Sequence, residues 1–117
     1  TALPPPQVEL HGHDDDDLLG VAPGAVIIPV RYSHTSWSLR RAVNYAHEVG
    51  ANIINISQAF PGSTVTDYQD WVLRSPIQDA LDAGIQVVVA SGNCGVDYAK
   101  VNPIGQLDGR LWVVGGT

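Results

Sequence analysis

Four groups of residues carry side chains able to do chemistry. His11 and His13 flank Gly12 and run into Asp14–Asp17; imidazole and carboxylate are ordinary metal ligands. No third well-spaced histidine or cysteine supports a metal site there, so a solvated acidic loop is the expectation. Cys94 would be a nucleophile if a neighbouring base lowered its pKa, but no motif places such a base, and a lone thiol then reads as a small apolar residue. Asn93 follows Gly92, a pair that taken alone reads as a turn. Ser57-Gln58-Ala59-Phe60 and Ser91-Gly92-Asn93 each follow an apolar run. If those runs are strands of an open parallel sheet, both segments lie at carboxyl ends, where ligands gather. Gly20-Val-Ala-Pro-Gly24 precedes a strand rather than joining strand to helix, so it is no phosphate loop.

The elements that must position these groups can be read from periodicity. Residues 1–19 are set apart by Pro4-Pro5-Pro6, which blocks helix, and by the self-repelling aspartates; an irregular lead-in is expected there. Ala25–Tyr32 is β-branched and apolar, a buried strand weakened by Pro29. Ser36 or Ser38 caps a helix whose Leu39, Ala42, Val43, Ala46 and Val49 recur at helical spacing, and Gly50 ends it. Asn52–Ser57 is a second buried strand. A further helix falls within Tyr68–Ala83, interrupted or begun at Pro76, with Pro76–Ala83 as its firmest part. Gly84 ends it; Ile85–Ala90 and Leu111–Val114 are the third and fourth strands. Trp37, Trp71 and Trp112 are expected to pack helices onto the sheet, and His34 and His47 to sit in a loop and on a helix surface. Strand, helix and strand in alternation predict right-handed crossovers and a parallel sheet.

Composition bounds the function classes. The chain has 117 residues, 44% hydrophobic and 15% charged, which suits one globular domain. Its net charge is −6 with only six basic residues, so no nucleic-acid partner is expected. No apolar run approaches the ~18 residues of a membrane span, and the start has no signal-peptide pattern. The single Cys94 allows no internal disulfide and leaves the compartment open.

Several segments, in this order, resemble the subtilisin-like serine proteases (subtilases). They are Gly20-Val-Ala-Pro-Gly-Ala25, Pro29-Val-Arg31, Gly50-Ala-Asn-Ile-Ile-Asn-Ile-Ser57, Ala90-Ser-Gly-Asn93 and Val113-Val-Gly-Gly-Thr117. The resemblance covers residues 20–117, the central portion of a peptidase domain. It implies a partial doubly wound α/β fold, a parallel sheet with helices on both faces. It implies that Asn93 is the oxyanion-hole donor, with Gly92 allowing the turn that exposes its amide. It also implies that Ser57, Gln58 and Ala59 pair with the substrate backbone, and that Ala90, Ser91 and Gly92 wall the pocket for the residue before the scissile bond. Small side chains there leave room for a sizeable substrate group.

By the same resemblance His11 is the general base, with His13 as second choice. The family's His-Gly-Thr is here His11-Gly12-His13, and eight residues separate His11 from Gly20. The helix that follows the histidine in the family does not fit that space. Either it is lost, or part of a longer chain is missing between His13 and Gly20. Residues 1–10 hold no aspartate, and Gly-Gly-Thr117 reads as a strand end rather than the Gly-Thr-Ser of the nucleophile. Catalytic Asp and Ser are therefore expected outside this chain, which alone would be inactive.

Peptide or protein substrates are implied, with remaining segments or another chain completing the fold and a secreted or extracytoplasmic location. No cofactor is expected; the resemblance allows Ca²⁺, but spacing marks no site. Two other readings stand beside the protease. One is a catalytically inactive subtilase-like module that binds peptides or partners, and the other an unrelated flavodoxin-like α/β domain.

Overall fold

A computed structural model describes residues 20–60, 62, 64–92 and 102–115. His11, His13, Asp14–Asp17, Asn93, Cys94, Gly116 and Thr117 lie outside the described residues, and with them the acidic tract expected to be a solvated loop, the expected base and the expected oxyanion donor. The chain divides into two units, Thr1–Arg31 and Tyr32–Thr117. All described helices and strands belong to the second.

That unit is an α/β arrangement. Helix α1 (Ser36–Glu48) leads to strand β1 (Ile53–Ile56), α2 (Asp67–Asp82) and β2 (Gln86–Ala90). A 3₁₀ turn (Pro103–Gln106) and β3 (Trp112–Val114) follow. The three strands form one sheet in the order β1-β2-β3. Every pairing is parallel, with Ile54 opposite Val87, Ile56 opposite Val89, and Val89 opposite Val113.

Local chemistry explains the helix ends. Thr35 caps α1 by accepting from the Ser38 amide at 3.1 Å. Ser36 is instead buried, and the Ser38 hydroxyl accepts from the Ser33 amide at 2.8 Å. The cap thus lies one residue before Ser36 and three before Ser38, the serines expected to fill it. Thr66 and Gln69 form a reciprocal capping box on α2, which satisfies two otherwise orphaned amides. Gly50 follows α1 at φ +81° and Gly84 follows α2 at φ +87°, left-handed positions at which a Cβ would be strained.

Helix α2 begins nine residues before Pro76 and runs through it without a break. Proline removes the amide that would bond the carbonyl of Val72, four residues back. The Arg40 guanidinium of α1 takes that carbonyl instead, with Nη1 at 2.9 Å. A side chain from another helix therefore repairs the ladder, and the expected interruption does not occur.

Helix α1 packs on α2, and α2 on β2. Leu39 and Val43 from α1, Leu73 and Ile77 from α2, and Ile54, Ile56, Val87 and Val89 from the sheet share one core, closed below by Ile104 and Leu107. Burial along β1 alternates, with Ile54 and Ile56 in the core and Ile53 and Asn55 exposed. The strand expected to be buried throughout is covered on one face among the described residues.

Two other expectations are corrected. Ala25–Tyr32 forms no strand; Pro29 offers no ladder donor, and a parallel strand exists only through a hydrogen-bonded neighbour. The tryptophans are not buried spacers, since Trp37, Trp71 and Trp112 are 48%, 71% and 61% exposed. Trp37 and Trp71 stack on each other on the outer side of the helix pair, centroids 6.4 Å apart, and Arg40 lies over Trp37. His34 is exposed in a bend and His47 lies in the last turn of α1, as expected.

Candidate functional site

Because β1 and β2 are parallel neighbours, in register to Ile56 and Val89, their carboxyl ends emerge side by side. Ser57–Phe60 leaves the first and Ser91–Gly92 leaves the second. The six residues expected to bind substrate, Ser57, Gln58, Ala59, Ala90, Ser91 and Gly92, thus gather at one end of the sheet. Gly92 has φ +132°, a backbone state that favours glycine and suits the sharp turn expected before Asn93.

Asn102 joins the two segments, and sequence reasoning missed it. Its Nδ2 donates to the carbonyl of Gln58 at 3.0 Å and to that of Ala90 at 2.7 Å. Its Oδ1 accepts from the amides of Phe60 and Ile104, both at 3.3 Å. The Asn102 amide donates to the Ser91 carbonyl at 2.8 Å. The side chain is 0% exposed and uses both donors and both acceptor sites. A buried amide left with even one of these unmade would cost about 1–3 kcal/mol. The signal for it was the pair Asn102-Pro103, which favours a turn start and here opens the 3₁₀ turn.

Ser91 is held from its other side as well, its amide donating to the Val114 carbonyl of β3 at 2.9 Å. Gly115 follows, and a Cβ there would meet the Ser91 hydroxyl at 2.8 Å. The Gln58 side chain is fixed by Tyr32, whose hydroxyl donates to Oε1 at 2.5 Å. Desolvation by partial burial pushes the Tyr32 phenol above its ordinary pKa, so it stays a donor at neutral pH.

Apart from the Tyr32 phenol, which stays protonated, the described residues of the site carry no ionisable side chain; they can hold and orient a ligand through backbone groups and small side chains. No cluster of three or more His, Cys, Asp or Glu comes together among the described residues. The described residues thus gather no carboxylate set for the Ca²⁺ that the resemblance allows, and no step is drawn through it. No described helix is long and apolar enough to cross a membrane.

The subtilase family model matches residues 8–114, nearly the whole chain. The chain belongs to the subtilase family. The prenylagaramide maturation protease PagA is similar in structure to this subtilase chain, at 26% identity and a TM-score of 0.50. The likeness covers 70% of the subtilase chain and 31% of PagA, so the chain spans about a third of that protein's length. No curated protein matches. The family match removes the unrelated flavodoxin-like reading, while the α/β class and the subtilisin-like resemblance are borne out.

Proposed function

We propose that this subtilase chain is the central part of a secreted serine endopeptidase, supplying its substrate-pairing segment and its oxyanion donor. The observation that carries this reading is the convergence of Ser57–Phe60 and Ser91–Gly92 at the carboxyl ends of adjacent parallel strands. Such a cleft accepts an extended peptide as an added strand on one side and seats its side chain against small residues on the other.

In this reading Asn93, one residue beyond Gly92, presents its side-chain amide to the oxygen that becomes negative as the scissile carbonyl turns tetrahedral. His11 is assigned as general base, taking the proton of the seryl hydroxyl as its oxygen attacks and returning it to the leaving amine. The serine, and the aspartate that orients the histidine, come from outside these 117 residues. Substrates are peptides or proteins, and no cofactor takes part.

The test is Asn93→Ala in the full-length protein, assayed on a peptide substrate. In subtilisin itself, loss of this donor costs about 10²–10³ in kcat, and a fall of that size with KM nearly unchanged is expected here. An unchanged kcat contradicts the assignment. Peptide binding without any turnover, in wild type as in the variant, would identify an inactive peptide-binding module.

A further inference from the structure

We infer that Asn102 is a positioning residue that sets the register in which an extended peptide pairs with Ser57–Phe60, so that the site favours peptides of several residues over single-residue substrates. The inference rests on the peptide-groove reading of the site and adds to it a register and a substrate length.

The backbone alternation of β1 fixes the register. The Asn52 carbonyl accepts from the Gln86 amide of β2 at 3.1 Å, so even-numbered residues face β2. The pairing of β1 with β2 ends at Ile56 and Val89. Beyond it Asn102 supplies the partners, donating to the Gln58 carbonyl and accepting from the Phe60 amide. Residues 58 and 60 therefore keep the inward orientation that 52, 54 and 56 have in the ladder. In an extended chain, the N–H and C=O of one residue point to one side and those of its neighbours to the other. Ser57 and Ala59 consequently present their backbone groups to the edge away from β2. Of the three residues expected to pair with substrate, Gln58 spends its carbonyl on Asn102.

The same side chain ties this edge to the opposite wall. Nδ2 reaches the Ala90 carbonyl and the backbone amide reaches the Ser91 carbonyl. One residue thus spaces the peptide-pairing edge from the pocket wall. Being fully buried, Asn102 touches no ligand and acts only through the groups it holds. A single-residue substrate uses the wall alone, whereas a longer peptide must satisfy wall and edge together.

Asn102→Asp keeps the shape but replaces two donors with lone pairs aimed at two carbonyls; Asn102→Ser retains one hydroxyl donor. In the full-length protein, kcat and KM, or Kd by titration where no cleavage occurs, are measured for a capped tetrapeptide and a capped single-residue amide, alongside thermal melting. Expected is a rise of about tenfold or more in the tetrapeptide KM or Kd for Asn102→Asp, equivalent to one made or lost hydrogen bond of about 1.4 kcal/mol. Asn102→Ser should fall between Asn102→Asp and wild type, and the single-residue substrate, which feels only the loss of the bond to the Ala90 wall, should weaken by a factor at least about threefold smaller than the tetrapeptide does. Equal losses on both substrates, or none in a folded variant, overturn the inference.

Amide exchange on the wild-type protein decides the register even if neither variant folds. A non-cleavable tetrapeptide should newly protect the Ala59 amide and leave that of Gln58 unchanged. Protection of Gln58 in place of Ala59 overturns the register while leaving the peptide groove intact. A wild-type protein that binds neither substrate removes the groove and this inference with it.

Discussion

The Arg40 guanidinium bonds the Val72 carbonyl at 2.9 Å, filling the position that Pro76 leaves without an amide. The repair has a consequence in the energetics of both residues. Arg40→Ala should destabilise the chain by about 1–3 kcal/mol, the usual cost of orphaning a buried acceptor. Pro76→Ala restores the missing amide and should relieve part of the ~3 kcal/mol that an interior proline costs a helix. The two should be coupled, with Arg40→Ala costing less in the Pro76→Ala background. Denaturant unfolding of the four members of the cycle checks this, and strict additivity would show that the carbonyl does not depend on Arg40.

Asp108 and Arg110 predict an acid-dependent term. Arg110 donates Nε and Nη2 to the two carboxylate oxygens at 3.0 Å each, and its backbone amide adds a third bond. These bonds hold the Asp108 carboxyl well below its ordinary pKa, the side-chain bonds from Arg110 being the main cause. A depressed carboxyl stabilises the fold above the unfolded value of about 4 and loses that contribution as pH falls through the folded one. Arg110→Ala should therefore be less stable than wild type at pH 7, with the gap closing progressively below about pH 4. Unfolding midpoints at pH 7 and pH 3 test it; a gap that widens in acid contradicts the pairing. Arg110 also bonds Asp82 at the end of α2, at 2.7 Å, so part of the pH 7 difference belongs to that exposed pair and should shrink with salt.

The sheet predicts association. Ile53 on β1 is 60% exposed, and β3 shows Trp112, Val113 and Val114 in succession. Open strand edges and uncovered apolar faces recruit other chains. The isolated 117 residues should sediment as a concentration-dependent mixture rather than one species. A stable, cooperatively folding monomer would contradict this and indicate a module complete in itself.

How much of this was legible in the sequence follows from the range of the interactions involved. The strands at Ile53–Ile56 and Gln86–Ala90 announced themselves as β-branched runs, and Gly50 and Gly84 closed the helices before them. The two strand ends that form the site were legible for the same local reason. The continuity of α2 was not, because Pro76 is a local stop signal and its remedy, Arg40, lies on another helix. Asn102 was equally hidden, since its partners come from the ends of two strands and only the fold brings them together. The tryptophans misled because a large aromatic in a helix usually marks the core, whereas Trp37 and Trp71 shield each other outside it. Ala25–Tyr32 had the composition of a strand, but among the described residues no strand pairs with it.

The most direct measurement is reaction of the full-length protein with a fluorophosphonate, followed by mapping of the modified residue. A subtilisin-like endopeptidase should be labelled on one serine outside residues 1–117, with labelling blocked by a peptide aldehyde. A folded protein that takes no label, or that is labelled at Ser57 or Ser91, would contradict the assignment of this chain to the binding cleft of an active protease.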